Sequence, residues 1–254
     1  MICDAFITAG GLLHGEMRER AGTSVKALVR IGERTLLEGT IAALRGSSAI
    51  GRIILIGPGE LNGSPMLQDI DHFIEADLCG VENIRKGLEF YSDCRHAVLC
   101  SSDLPFISSE AVTDFLARCP ETAAVCYPVF EKEEIDPAIR PGVPSYIRLR
   151  EGYFTGGSIF RLDVAQCLQS MSHIGKSFNA RKSAVAMARL LGFSVMLKFL
   201  FGTLSCSDLQ KRCEEIIRAP VALIRGCSAC ITIDIDDGAS YQFALEYDRK
   251  MRQV

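Results

Sequence analysis

Three groups of residues in this chain are suited to phosphate and divalent-cation chemistry. The first is Ala9-Gly10-Gly11, directly after the strand-like run Asp4-Ala5-Phe6-Ile7-Thr8. Two glycines at that point let the backbone turn tightly and open its N–H groups to an approaching ligand. Taken alone, the pair suits a structural turn as well as a ligand loop. Arg18, Arg20 and Lys26 follow within fifteen residues of Gly11. Fixed cations over such a loop would neutralise triphosphate oxygens, although a solvated basic loop has the same composition.

The second group is Asp103, in Leu99-Cys100-Ser101-Ser102-Asp103-Leu104-Pro105. A carboxylate delivered by a buried strand, with a proline stiffening its exit, is placed to bind Mg²⁺. That ion takes one or two carboxylates together with phosphate oxygens and water. A turn or helix-capping aspartate is the alternative, but Ser108 makes the better N-cap. The third group is Asp234 and Asp236, in Ile231-Thr232-Ile233-Asp234-Ile235-Asp236-Asp237-Gly238. Period-two spacing puts both carboxylates on one face and the isoleucines on the other, so the pair offers a second carboxylate for the same metal. Asp236-Asp237-Gly238 is also good turn chemistry. Thr155-Gly156-Gly157-Ser158 either gives an acceptor room near the backbone or is a plain β-turn. Arg181 and Lys182 fit a solvated helix face better than a phosphate contact.

Alternating strands and helices must position these groups. Apolar runs at Asp4–Thr8, Arg52–Gly57, Ala97–Cys100 and Ala123–Cys126 read as buried strands. Helical spacing appears at Thr35–Leu44, Val81–Tyr91 and Ser108–Arg118. This rhythm implies parallel βαβ units with helices on both faces of a sheet. Ligands then bind beyond the carboxyl ends of the strands, where Gly10-Gly11 and Asp103 fall. After Pro128 the rhythm changes. Residues 131–144, with Pro137, Pro141 and Pro144, read as an irregular loop. Ser145–Leu149 and Gly157–Phe160 read as strands about a turn at Glu151-Gly152. Helical patterns run from Asp163 to Ile217, and a last strand at Cys230–Ile235 precedes a helix from Ala239 to Met251.

The 254 residues carry 48% hydrophobic and 23% charged residues, enough to bury a large core. A net charge of −3 argues against a dedicated nucleic-acid binder. The beginning of the sequence lacks the basic and apolar regions of a secretory signal, so a cytoplasmic protein is expected. Its eleven cysteines are then reduced core thiols, and Cys227-Ser228-Ala229-Cys230 has no second ligand pair for zinc. Leu190–Leu204 is short of the ~20 apolar residues that a membrane span needs. It reads as a buried helix or helix–strand pair rather than a membrane-surface segment.

In order, these pieces resemble the nucleotidyltransferases of the MobA-like, GT-A-type fold. The resemblance is carried by Asp4-Ala5-Phe6-Ile7-Thr8-Ala9-Gly10-Gly11, by Lys26-Ala27-Leu28-Val29 with Leu36-Leu37-Glu38, and by Ile53-Ile54-Leu55-Ile56-Gly57. Ser102-Asp103-Leu104-Pro105 and Asp234-Ile235-Asp236 complete it. It implies a three-layer α/β/α fold with a mostly parallel central sheet, in a single domain over 1–254. Residues 1–128 would be the nucleotide-binding half and 129–254 the acceptor-binding half, with a helix-rich insertion at 163–217.

The activity implied is transfer of an NMP moiety from an NTP to a small phosphorylated or hydroxylated acceptor, releasing pyrophosphate. Ala9, Gly10 and Gly11 would touch base and phosphates, with Gly80 and Asn83 near the base. Lys26 would contact the triphosphate or the acceptor phosphate, and Arg18, or else Arg20, would be the loop arginine. Asp103 and Asp236 would hold Mg²⁺, while Gly156 and Gly157 would face the acceptor. No nucleic acid or transmembrane segment is implied, and the assembly would be a monomer or homodimer. A GT-A-type glycosyltransferase using a nucleotide-sugar, or a catalytically silent nucleotide-binding protein, would share the fold. The chain departs from the family pattern in two places. Fourteen residues separate Gly11 from Lys26, and Asp236 is followed by Asp237-Gly238-Ala239-Ser240 instead of Thr-Pro and an acidic residue.

Overall fold

The computed structural model describes residues 2–135, 146–180 and 183–252. The proline-bearing part of the 131–144 loop, Arg181 and Lys182 lie outside these described residues. In chain order come β1 (Cys3–Thr8), α1 (Gly15–Ala21), β2 (Arg30–Ile31), β3 (Arg34–Thr35), α2 (Leu36–Gly46) and β4 (Ile50–Gly57). Next are β5 (His72–Glu75), α3 (Gly80–Phe90), β6 (His96–Ser101), α4 (Ser109–Arg118) and β7 (Val125–Glu131). The later elements are β8 (Ile147–Leu149), β9 (Gly152–Gly156), β10 (Ile159–Asp163), α5 (Val164–Gln169) and α6 (Met171–Ala180). They are followed by α7 (Ala184–Leu191), α8 (Phe193–Leu200), α9 (Cys206–Ile217), β11 (Val221–Ile224) and α10 (Gly238–Met251).

The main sheet runs β5-β4-β1-β6-β10-β7-β9-β8, with β11 on the other edge of β7. Its core, β5-β4-β1-β6, is parallel, whereas β10 is antiparallel to both β6 and β7. Side-chain alternation along β1 serves both faces. Ala5 and Ile7 join Leu37 and Ile41 of α2 and Val112 and Phe115 of α4 in one core layer. Phe6 joins Ile84 and Leu88 of α3 and Val164 of α5 in the other. Close packing of α3 on β1 depends on Gly87, where a Cβ would lie 2.4 Å from the Phe6 ring. The result is the expected α/β fold, with helices on both faces of a sheet that is parallel at its centre. The expected helical run is also present, as α5 to α9.

Local sequence signals set several boundaries. Thr35 and Glu38 form a reciprocal capping box at the start of α2, and the Ser108 hydroxyl accepts from Ala111 N–H at the start of α4. Strand β7 runs beyond the expected Cys126, straight through Pro128. The missing proline N–H is tolerated because β7 changes partner there: Val125 and Cys126 pair with β10, and Val129 to Glu131 with β9.

Three expectations are corrected. Cys230–Ile235 is not a strand. It is a 3₁₀ turn at Ala229–Ile231 followed by an irregular extended segment. That segment is held by single bonds rather than a ladder: Ser158 N–H to Ile231 O, Thr232 Oγ1 to Gly156 O, and Ile235 N–H to Asp103 O. Among the described residues the last strand is instead β11, parallel to β7. Leu190–Leu204 is not a buried helix or helix–strand pair either. Val195 and Leu204 are buried, but Phe193, Leu200 and Phe201 stand in solvent. The turn read at Glu151-Gly152 joins β8 to β9, so Gly156 ends a strand that the sequence pattern places only from Gly157.

Candidate active site

The site begins where β1 and β6 end. They are paired in parallel with Thr8 opposite Ser101, so Ala9-Gly10-Gly11 and Ser102-Asp103 leave the sheet side by side. Ala9 is buried and donates its N–H to Ile56 O, tying the start of the loop to β4. Gly10 and Gly11 are exposed, and neither has positive φ. An alanine could adopt either conformation, so what glycine provides here is the missing side chain and not a special turn. A Cβ on Gly10 would meet Asn83 Nδ2 at 3.4 Å, and one on Gly11 would meet Lys26 Cδ at 3.4 Å. The two glycines thus form a bare floor between Asn83 and Lys26. Their N–H groups have no protein acceptor among the described residues.

The fourteen residues between Gly11 and Lys26 form a closed excursion. Its neck is a bridge between Leu12 and Val25, supported by Leu13 N–H to Ser24 O and Lys26 N–H to Gly11 O. Between them, α1 is capped by Gly22 in the left-handed region. Leu13, Met17 and Ala21 pack against Ile235 and Ala244, which anchors the excursion to the C-terminal part of the chain. Lys26 therefore returns to the side of Gly11 despite its separation in sequence. Of the two candidate arginines, Arg20 reaches the first turn of α10, its Nη1 lying 3.2 Å from where a Gly238 Cβ would stand. Arg18 is exposed and makes no side-chain hydrogen bond or ion pair among the described residues.

Lys26 Nζ lies 2.6 Å from Asp103 Oδ2 and also pairs with Asp236 Oδ1. Asp103 is only 9% exposed and accepts from the Ser101 hydroxyl. Asp236 is exposed but positioned: its N–H donates to Ser240 Oγ, within the box that Asp237 and Ser240 form to cap α10. Carboxylate oxygens of Asp103, Asp234 and Asp236 lie within 4.8 Å of one another.

Charge balance in this group is uneven, with three carboxylates facing one ammonium. Burial opposes ionisation of Asp234, and the neighbouring Asp236 and Asp103 oppose it further. Together they push its pKa up to about 6, against the pull of Lys26. Burial by itself would lower the Lys26 ammonium, but Asp103 and Asp236 outweigh it and hold the pKa above its ordinary value. Lys26 is a fixed cation at neutral pH. An acidic group with excess negative charge and only oxygen donors matches the preference of a hard divalent ion such as Mg²⁺.

The remaining expected site residues have visible packing roles. Asn83 is buried and bonds the Asp77 backbone twice, through Oδ1 from Asp77 N–H and Nδ2 to Asp77 O. It braces the turn before α3 while its amide flanks Gly10. At Gly80, a Cβ would come 2.8 Å from the Phe178 ring. At Gly157, it would come 2.8 Å from Ile231 O, and at Gly156 it would overlap the Tyr127 hydroxyl. Gly157 thus lets the 231–236 segment cross closely over the sheet, and the Gly156 carbonyl accepts from Thr232 Oγ1 of that segment, which together bring Asp234 near Ser158 and Asp103.

Residues 5–153, more than half of the chain, match the sequence profile of the MobA-like NTP transferase domain. The chain belongs to that family. As an NTP transferase domain it is a nucleotidyltransferase in its broad class. Among solved structures, a hypothetical transferase from Thermus thermophilus is 28% identical with a TM-score of 0.82, covering 95% of this chain and 100% of its own. The 2-C-methyl-D-erythritol 4-phosphate cytidylyltransferase of the same organism is 19% identical, with a TM-score of 0.58 over 98% of this chain and 100% of its own. A nucleotidyl transferase from Methanothermobacter thermautotrophicus is 11% identical, with a TM-score of 0.59 over 98% and 99%. These last two share the fold. Among curated protein sequences none is significantly similar.

Beyond the matched residues 5–153, the carboxylate that the sequence reading weights too little is Asp234. The family resemblance points to Asp236, but Asp234 is the more buried of the pair, and its pKa is pushed up to about 6. The signal was present in the alternation Ile231-Ile233-Ile235, which turns Asp234 and Asp236 to the same side.

Proposed function

We propose that this NTP transferase domain moves an NMP moiety from an NTP to a small phosphorylated or hydroxylated acceptor and releases pyrophosphate. The observation that carries the reading is the placement of Lys26, whose side chain borders the glycine floor while its ammonium contacts Asp103 and Asp236. One residue thereby links a surface fit for phosphates with a cluster fit for a divalent cation.

The acceptor oxygen attacks the α-phosphorus in line. A new P–O bond forms there as the bond from that phosphorus to the bridging oxygen of the pyrophosphate breaks. Pyrophosphate leaves with the electron pair, and a hydroxyl acceptor gives up its proton to solvent, whereas a phosphorylated acceptor attacks through an already ionised oxygen. Gly10 and Gly11 admit the triphosphate against free N–H groups, with Ala9 and Asn83 fixing the ends of the floor. Lys26 offsets the charge that accumulates on the α-phosphoryl oxygens. Either Arg18 or Arg20 on the excursion adds a second cation. Gly80 places the start of α3 near the base, and Gly156-Gly157 face the acceptor side through the segment that they position.

Asp103, Asp234 and Asp236 would hold Mg²⁺, since their oxygens converge and their charge exceeds what Lys26 balances. When bound, the ion supplies positive charge that orders the phosphates. Thermal shift with ATP, CTP, GTP and UTP, each with Mg²⁺, tests this reading, because a ligand that binds the folded state raises the melting temperature. One or more triphosphates should stabilise the protein, and the strongest identifies the base. No shift with any of them at millimolar concentration would contradict the reading.

A further inference from the structure

Helices α7 and α8 are joined by the single residue Gly192, which has φ +85°. Inward, Val195 packs with Leu149, Phe154 and Leu204. Outward, Phe193, Leu197, Leu200 and Phe201 follow one another at spacings of four, three and one. They form one stripe, continued off the end of α8, and are 78%, 36%, 73% and 77% exposed. Val185 on α7 is also exposed, and Arg189 shares its face one turn later. An apolar stripe of this size on a surface marks a contact.

Charge selects the occupant. Between Asp163 and Asp208 the sequence contains no acidic residue, yet it contains Lys176, Arg181, Lys182, Arg189 and Lys198. Lys198 is answered by Asp208 at 2.6 Å. Lys176 and Arg189 are exposed and have no ion-pair partner among the described residues. A symmetric contact with a second copy would bring this basic segment against itself, which like charge opposes. An anionic surface answers both the stripe and the charge. Each helix is only eight residues long, and none of the described helices is long and apolar enough to cross a membrane.

We propose that the α7–α8 helix pair docks this protein on an anionic lipid bilayer. Phe193, Leu200 and Phe201 enter the boundary between headgroups and acyl chains, and Arg189 stays at the lipid phosphates. The docking is independent of the reaction proposed above and would persist in a variant that cannot transfer nucleotides.

Vesicle flotation of the whole protein tests it, using phosphatidylcholine vesicles with and without phosphatidylserine at low and high salt. The protein should float with the phosphatidylserine vesicles and be released by salt. A Phe193→Ser, Leu200→Ser, Phe201→Ser variant should partition at least about tenfold more weakly, with melting temperature and triphosphate shift unchanged. Arg189→Glu, which leaves the apolar stripe intact, should weaken binding to phosphatidylserine vesicles and leave the phosphatidylcholine background as it was. Absence of wild-type binding at low salt, or equal binding by the serine variant, would overturn the proposal. So would wild-type self-association that the serine variant abolishes, since the stripe would then be an interface between copies.

Discussion

Lys26 and Asp103 form an ion pair with Nζ 2.6 Å from Oδ2, and the same ammonium contacts Asp236, 210 residues further along the chain. The glycine loop, the end of β6 and the start of α10 thus meet on one side chain. Removing that side chain leaves a buried carboxylate unpaired beside two others. Lys26→Met should therefore destabilise the metal-free protein by about 2 kcal/mol. Mg²⁺, as a replacement cation, should restore a larger share of stability to the variant than it adds to the wild type. Turnover should fall by about a hundredfold or more even at saturating Mg²⁺. Denaturant unfolding with and without the metal, beside a turnover measurement, checks both parts.

Asp234 gives the opposite sign. Its folded pKa of about 6 stands above the ordinary carboxyl value of 3.8. The folded state therefore retains a proton that the unfolded chain has already released. That difference favours folding at acid pH and is lost progressively as pH rises from about 4 to about 6, after which the buried charge is a constant cost. Asp234→Asn should remove the cost and stabilise the metal-free protein at pH 7 by about 2 kcal/mol. Its stability should also vary less than that of the wild type across this pH range. The same variant should lose Mg²⁺ affinity and activity. Unfolding curves from pH 4 to 8 without metal measure the first effect, and metal titration measures the second.

Gly11 and Gly157 separate a ligand floor from a packing requirement. A methyl at Gly11 meets only the flexible Lys26 chain in a conformation open to any residue, so Gly11→Ala should melt close to the wild type. It should nevertheless bind triphosphate at least about tenfold more weakly, because the floor is raised against the phosphates. At Gly157 the methyl strikes the Ile231 carbonyl and the Pro128 ring, neither of which can swing aside. Gly157→Ala should lose about 2 kcal/mol or more of stability. Melting temperatures and triphosphate titrations on the two variants distinguish these outcomes.

Much of this arrangement was legible in the residues. Buried runs such as Ile53–Ile56 and Ala97–Cys100 fixed the parallel core, because apolar side chains on both faces leave no alternative to a covered sheet. Ser108 is legible as the cap of its helix, and the apolar spacing of Leu36, Leu37, Ile41 and Leu44 marks the helix that Thr35 caps. Edge strand β5 was missed because His72-Phe73-Ile74-Glu75 is half polar and too short to stand out. Strand β11 was missed because Val221–Ile224 directly follows a long helix, and the stronger apolar alternation at 231–235 drew the assignment instead. That alternation still turned Asp234 and Asp236 to one side, so the pairing of the two carboxylates was legible although the strand does not exist. The path of the excursion was out of reach of sequence. Only the Leu12–Val25 bridge and the packing of Leu13 and Met17 on Ile235 and Ala244 show that fourteen added residues bring Lys26 back to Gly11.

In the proposed reaction Asp103 and its neighbours support release of pyrophosphate from an NTP. Pyrophosphate formation by the wild type and by Asp103→Ala, with the preferred triphosphate, Mg²⁺ and a pool of small phosphorylated and hydroxylated acceptors, tests it most directly. The wild type should release pyrophosphate only when acceptor is present, and the folded variant should release none above background. Near-native turnover by Asp103→Ala at saturating Mg²⁺, or nucleoside diphosphate as the product when a nucleotide-sugar replaces the NTP, would contradict the account.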